Sequence, residues 1–248
     1  MPRLDWLIAR PVAHRGLHDA AAGIIENTPS AFTAAIAANY AIECDLQLSA
    51  DGEAMVHHDD ALGRLTEGRG RLDTMTAAQL RCVAFHGTAD RMMSVGDLCD
   101  LVAGRVTLLI EIKSRFDGER RLVARAAAVL SRYAGPAALM SFDPAQVALL
   151  RHIAPSLTRG IVAERRHERP AGTEGSGTSK RAIAYFRQAL RTRPHFIAYA
   201  VKDLPAALPC AARITFGLPL LTWTVRTETD RRRAARYADQ MIFEGFRP

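Results

Sequence analysis

The sequence predicts an α/β protein, residues 1–248, folded as a single (β/α)8 TIM barrel with a small insertion after the second strand, at about residues 59–105. Three observations predict it. Strand-like and helix-like segments alternate about eight times, the pattern of parallel βα units, in a length that one barrel domain fills. Residues with chemical capability fall at the C-terminal ends of successive strands, which form the active face of a parallel barrel. Periodicity is lost only between Asp59 and Arg105, where Gly63, Gly68 and Gly70 interrupt it. A doubly wound open sheet is the alternative architecture.

The elements follow in order. Pro11–His14 is a short strand ending in His14-Arg15-Gly16. Asn27-Thr28-Pro29 opens a helix, with Thr28 as cap and Pro29 in its first turn. Its body, Ala31–Asn39, sets Phe32 and Ile36 on one face. Ala41–Leu48 is the central strand: Glu43 and Asp45, two apart, share a face, and Ile42, Cys44 and Leu46 point the other way beneath helices. Ser49–Gly52 is a turn, and Glu53–His58 a short extended run. Within the irregular stretch, Thr76–Leu80 and Val95–Val102 read as helices. Val106–Lys113 is a buried strand, Asp117-Gly118 a turn, and Glu119–Arg132 a helix. Ala137–Phe142 is a strand, followed by a helix from Asp143-Pro144 through Ile153. Thr158–Ala163 is a strand, Arg165–Ser179 an exposed loop, Lys180–Thr192 a helix and Phe196–Tyr199 extended. Leu204–Ile214 is a weak, Pro-interrupted helix. Leu220–Val225, Glu228–Tyr237 and Met241–Glu244 close the series as strand, helix and strand. No eighth helix follows, and Leu4–Ala9 is expected to cover the gap.

Composition narrows the function classes. The net charge of +7 is carried mainly by Arg scattered along the chain, and aromatic content is only 6%. Basic clusters such as Arg231-Arg232-Arg233 read as solvated helix faces, and no stacking platform for nucleic acid is present. A basic surface still favours anionic substrates. Cys44, Cys82, Cys99 and Cys210 form no metal-finger or CxxC spacing, so reduced thiols in a cytoplasmic protein are expected. No apolar run approaches a membrane span, and no signal segment is seen. No stable membrane insertion is expected, and oligomeric state stays open.

The chemistry lies in seven residues. His14 and Arg15 end the first strand, Glu43 and Asp45 the second, and Glu111 and Lys113 the third, with His58 just after the second. Three carboxylates without soft ligands suit a hard divalent cation, Mg²⁺ or Ca²⁺. Arg15 and Lys113 suit a phosphate oxygen, and two histidines supply acid and base near neutral pH. Together they point to hydrolysis or cyclising transfer of a phosphodiester. The plainer reading pairs Glu43 and Asp45 with Arg15 and Lys113 as ordinary ion pairs. His18, His57, His86, His152, His167 and His195 read as surface or structural residues. Trp223 reads as core or as substrate lining, and Asp59 either orients His58 or opens the insertion.

These motifs resemble the glycerophosphodiester phosphodiesterase family. The resemblance rests on Ala13-His-Arg-Gly16, Glu26-Asn-Thr28 with Ala31-Phe32, Glu43-x-Asp45, Asp51-Gly52, His58-Asp59, Leu62-x-Arg64-x-Thr66, Ile110-Glu-Ile-Lys113, Ser141-Phe142 and Trp223-Thr-Val225. It implies a (β/α)8 barrel with an insertion after the second strand. It also implies that Glu43, Asp45 and Glu111 bind the divalent metal and that His14 and His58 are acid and base. Arg15 and Lys113 would hold the phosphate, with Trp223 at the substrate. The implied reaction releases sn-glycerol 3-phosphate and an alcohol from a small glycerophosphodiester, through a cyclic phosphate. Two departures stand near the last strands: Arg226 replaces the family's Asn, and Ile242-Phe-Glu-Gly-Phe-Arg-Pro248 replaces its Thr-Asp-x-Pro ending. They bear on the alcohol, so a lysophospholipid substrate, with the insertion and the Phe243–Phe246 end as an apolar wall, is an alternative. A non-catalytic barrel binding a phosphorylated ligand is another.

Overall fold

The computed structural model describes residues 4–165, 188, 189 and 191–248. β1 (Val12–Ala13) pairs in parallel with β2 (Ala41–Leu48) on one side and with β9 (Gln240–Phe243) on the other. The ring is completed by β4 (Leu108–Ile112), β5 (Ala137–Ser141), β6 (Thr158–Ala163), β7 (Phe196–Ala200) and β8 (Leu220–Val225). Eight parallel strands therefore close into a barrel, and the open-sheet alternative falls away. β3 (Ala54–Val56) is not a stave. It folds back antiparallel on the end of β2, with Leu46 opposite Val56, through the turn that Asp51 and Gly52 make.

The helices run α1 (Asp5–Ile8), α2 (Pro29–Ala37), α3 (Ala77–Cys82), α4 (Val95–Val102), α5 (Arg121–Leu130), α6 (Pro144–Ile153), α7 (Ala207–Phe216) and α8 (Glu228–Tyr237). The loop expected at Arg165–Ser179 and the helix expected at Lys180–Thr192 lie almost wholly outside the described residues. α5 starts two residues later than Glu119 because that carboxylate accepts the backbone N–H groups of Arg120 and Arg121, satisfying donors a helix start leaves unpaired. α7 runs later than Leu204–Ile214. Pro209 falls in its first turn, where a missing N–H removes no helical bond. Between β3 and β4 the chain makes a 3-10 turn at Leu72–Thr74 and the two short capped helices α3 and α4. The 3-10 turn and α3, with their flanking segments, pack Met55, Leu72, Leu80, Phe85 and Met92 into a separate apolar cluster, while α4 packs Val95, Leu98 and Val102 onto the outer core.

Alternation along the strands builds two cores. Ile42, Cys44, Leu46, Leu108, Ile110 and Ile112 face outward, under the helices. Ala41, Leu109, Ala138, Val162, Phe196, Leu221 and Ile242 face the barrel axis. At Gly160, beside Phe196, an added Cβ would come within 2.3 Å of the Phe196 ring. The missing side chain is what lets one large ring fill the interior there.

The N-terminal segment does not cover the missing helix. α1 lies under the barrel, where Leu4 and Leu7 join the inner cluster. Gln240 and Thr107 there donate side-chain hydrogen bonds to the carbonyls of Ile8 and Trp6. The outer gap is filled by the C-terminal tail. Phe243 faces outward and meets Tyr40 edge-on at 5.0 Å and Phe246 at 5.4 Å, with the Arg231 guanidinium 5.2 Å over the Phe246 ring. Phe243 and Phe246 therefore form no wall of the cavity at the barrel mouth, and the apolar wall anticipated from them is absent. No described helix is long and apolar enough to cross a membrane.

Candidate active site

The parity that points Ala41 and Leu109 into the barrel also points Glu43, Asp45 and Glu111 inward, one and two layers nearer the C-terminal mouth. Register places Asp45 directly beside Glu111 on neighbouring strands. The three carboxylates are 2%, 1% and 8% exposed, and one oxygen of each lies within 4.8 Å of the others. Buried carboxylates at this spacing repel one another and are costly unless compensated. Burial, with the charges of Asp45 and Glu111, pushes Glu43 well above the usual carboxylate range. Burial likewise raises Glu111, against the pull of Lys113.

Two cations offset part of this charge. Lys113 Nζ lies 2.8 Å from Asp45 Oδ1 and 2.9 Å from Glu111 Oε1. Arg15 Nε lies 3.4 Å from Asp45 Oδ2, and the Arg15 backbone N–H donates to Glu43 Oε2 at 3.0 Å. Burial alone would raise Asp45, but Lys113 and Arg15 draw it well below its ordinary value. Burial would lower Lys113 too, and its two carboxylate partners raise it. The donor set is a good fit for Mg²⁺ or Ca²⁺: three hard oxygen ligands, with the nearby Cys44 turned to the outer face. The ion-pair reading is realised for Asp45, which meets both Lys113 and Arg15, but not for Glu43, whose contact with Arg15 is the backbone N–H.

The turn after β1 sets His14 and Arg15. Arg15 has φ 55° and Gly16 φ 82°, and a Cβ at Gly16 would press within 2.8 Å of Ala31 in α2. Only glycine lets this turn seat against the helix. His14 Nδ1 donates to Glu244 Oε2 at 2.6 Å, while its Nε2 lies 4.0 Å from Glu43. His58 Nδ1 likewise donates to Asp59 Oδ1 at 2.8 Å. A carboxylate only accepts, so each pair fixes the proton on Nδ1 and leaves Nε2 for the cavity. Burial lowers both imidazoles from their ordinary value, and the carboxylate partners oppose the shift. Asp59 is drawn down to about 2, against its burial, by Arg64 and His58. Glu244 is drawn down to about 2, again against burial, by His14 and Arg226.

The cavity above these groups holds about 320 Å³. His14, Arg15, Glu43, Asp45, His58, Glu111 and Lys113 all border it, so all seven residues singled out from sequence meet in one place. Trp223 borders it too, and joins the inner core at its base. The core reading of Trp223 is met by its packing on the inner cluster. Its ring meets Phe142 edge-on at 5.5 Å, and its Nε1 is buried with no hydrogen-bond partner. The other histidines that can be described stay out of the cavity lining. His57 stands edge-on to Phe85, and burial pushes it down to about 4; burial lowers His195 to about 4 as well. His167 lies outside the described residues.

Three partners are not evident from sequence spacing. Asn27 donates its side-chain N–H to Asp45 Oδ2 at 2.9 Å and accepts the Asp45 backbone N–H at 3.3 Å. Its φ of 57° is a conformation Asn tolerates better than most residues. Glu26 accepts from both Arg15 and Arg64, at 2.7 Å each. Glu244 accepts from His14 and, at 2.8 Å, from Arg226, so the two departures at the last strands meet each other. A sequence signal existed for Glu26 and Asn27, in the Glu26-Asn-Thr28 motif. None marked Glu244.

A model of the glycerophosphoryl diester phosphodiesterase family matches residues 14–246. The Mycobacterium tuberculosis protein named probable glycerophosphodiester phosphodiesterase 1 is 31% identical, over 59% of this chain and 61% of its own length. The chain thus spans somewhat less than two thirds of that relative. Among solved structures, an Oleispira antarctica phosphodiesterase in complex with the product sn-glycerol-3-phosphate superposes with TM-score 0.76 at 18% identity, covering 94% of this chain and 91% of that one. The Thermotoga maritima glycerophosphodiester phosphodiesterase superposes with TM-score 0.71 at 22% identity, covering 94% of each. At these identities the two structures speak for the barrel fold.

Proposed function

Because the chain belongs to the glycerophosphoryl diester phosphodiesterase family, we propose that it hydrolyses small glycerophosphodiesters to sn-glycerol 3-phosphate and an alcohol. The observation that carries this reading is the meeting of three buried carboxylates, two carboxylate-bound histidines and two cations around one 320 Å³ cavity. The Oleispira antarctica neighbour, solved with sn-glycerol-3-phosphate, supports the product. A pure phosphate binder has no use for a pair of histidines held in one tautomer.

Glu43, Asp45 and Glu111 would hold the divalent cation. When bound, it supplies Lewis-acid charge at the phosphoryl and hydroxyl oxygens. Arg15 and Lys113 orient the phosphate and offset its charge. His14, neutral through burial, has Nε2 free to accept the proton of the glycerol 2-hydroxyl. That oxygen attacks phosphorus, and the bond from phosphorus to the alcohol oxygen breaks. His58 Nε2 gives the departing alkoxide its proton; the anionic diester beside it and Asp59 behind it favour the protonated imidazole. Water then opens the cyclic phosphate, with His58 taking a proton and His14 returning one. Trp223 and Phe142 wall the glycerol side and exclude solvent.

The test is release of glycerol 3-phosphate by purified protein from glycerophosphoinositol and glycerophosphocholine, with EDTA, Mg²⁺ or Ca²⁺. Activity lost to EDTA, restored by a cation and absent in His14→Ala is expected. No release under any cation from folded protein would overturn the assignment.

A further inference from the structure

A second cavity, of about 420 Å³, opens beside the first and shares His58, Lys113 and Ser114 with it. We propose that this groove is the alcohol subsite and that it selects a polyhydroxylated alcohol over choline or an acyl chain; the inference rests on the phosphodiesterase reading above. The two cavities meet at His58. In an in-line displacement the attacking and leaving oxygens lie on opposite sides of phosphorus. With glycerol on the Trp223 side, the alcohol leaves past His58 into the groove.

The walls of the groove set its chemistry. One wall belongs to the segment after β3 and carries Asp60, Arg71 and Asp73; the other follows β4 and carries Arg115 and Asp117. Arg71 bonds Asp60 at 2.7 Å and Asp73 at 3.0 Å. Arg115 bonds Asp117 at 2.9 Å and ties the walls together through Asp73. A guanidinium has five N–H donors and a carboxylate about four lone-pair sites, so these pairs do not use up the donors and acceptors of the side chains that line the groove. The two signs alternate along it, which suits neighbouring hydroxyls that each donate and accept. A trimethylammonium group can do neither and needs aromatic faces; among the described residues the only ring bordering the groove is that of His58. The apolar side chains there are Leu48 and Leu122, too few to line an acyl chain.

The experiment compares kcat/KM on three diesters of glycerol 3-phosphate, with inositol, choline and methanol as the alcohol, for the native chain and for Arg115→Gln and Asp73→Asn. The native chain should favour the inositol diester over the choline diester at least tenfold. Each substitution should reduce the inositol value at least tenfold more than the methyl value. A preference for choline, or equal losses on the inositol and methyl diesters, would overturn the subsite while the methyl diester still reports the chemistry. Failure to cleave any of the three, methyl included, would bring down the phosphodiesterase reading and the subsite with it.

Discussion

Replacing Glu244 by Gln keeps an oxygen that can accept from His14 Nδ1 and removes the negative charge. In the native structure one oxygen, Oε2, serves both His14 at 2.6 Å and Arg226 at 2.8 Å. On the proposed mechanism His14 gains a proton as the 2-hydroxyl attacks, so this carboxylate does most when the ring becomes an imidazolium. A hydrogen bond to a charged group contributes about 1.5–3 kcal/mol, which corresponds to a loss of about 10- to 150-fold in kcat. KM should change little, because Glu244 touches His14 and Arg226 rather than the phosphate groups. Glu244→Asp, which keeps the charge on a shorter arm, should recover part of the loss. Steady-state kinetics on a glycerophosphodiester, with the melting temperature as a control for folding, measures all three. A Glu244→Gln enzyme with kcat within twofold of the native value, or with its loss wholly in KM, would refute the reasoning.

Other perturbations test the site and its scaffold. Saturating Mg²⁺ or Ca²⁺ should stabilise the native chain by about 2.7 kcal/mol at a hundredfold excess over Kd, read as a rise in melting temperature that Asp45→Asn abolishes. Asn27→Ala strips a buried carboxylate of one donor, a cost of about 1–3 kcal/mol; titration calorimetry should show altered cation affinity even where the fold survives. Gly160→Ala forces a Cβ into the Phe196 ring and should destabilise the barrel by about 1–3 kcal/mol, seen in urea denaturation. Asp59 has a folded pKa of about 2 against an ordinary 3.8, so the unfolded chain binds the extra proton first. Its contribution is present above about pH 4, lost as pH falls toward 2, and at most about 2 kcal/mol. Asp59→Asn should therefore narrow the gap in stability between pH 6 and pH 3.

The sequence makes the barrel legible because its two periods do not conflict. Leu108, Ile110 and Ile112 alternate with Leu109 and Glu111, and one strand assignment decides both the packed face and the chemical face. The acids could be read for the same reason, since residues two apart on a strand must share a side. What could not be read are contacts that depend on where loops return. Asn27 and Asp45 are eighteen residues apart in sequence, and Glu244 and His14 come from opposite ends of the chain; only ring closure, β1 beside β9, brings the latter pair together. The same closure explains the error over Leu4–Ala9. A short apolar segment can cover a sheet face or plug a barrel end, and its sequence does not distinguish them. The roles of Phe243 and Phe246 were ambiguous in a similar way, because the side that Phe243 faces depends on the register of β9 beside β1, and the place of Phe246 on how the tail beyond β9 folds back.

The innermost charges of the site give a reason for its composition. With all three carboxylates ionised, they would face two fixed cations, Lys113 and Arg15, and leave one net negative charge, which burial opposes by raising Glu43 and Glu111. A divalent cation would turn that balance to one net positive charge, and a phosphodiester, a monoanion, would bring it to zero. Buried charge is least costly when balanced, so on the proposed function the cluster would suit metal and diester together rather than either alone. The phosphate monoester product carries about −1.5 to −2 near neutral pH and would restore a net negative charge, which favours release. On this argument Lys113 is more than a phosphate ligand. Lys113→Met, nearly the same length without the charge, should weaken diester binding and leave the cation more tightly held, since it removes the competitor that now sits 2.8 Å from Asp45 and 2.9 Å from Glu111. Calorimetric titration of cation, with and without a non-hydrolysable diester, separates the two effects; a variant that binds cation more weakly than the native chain would defeat the charge-balance account.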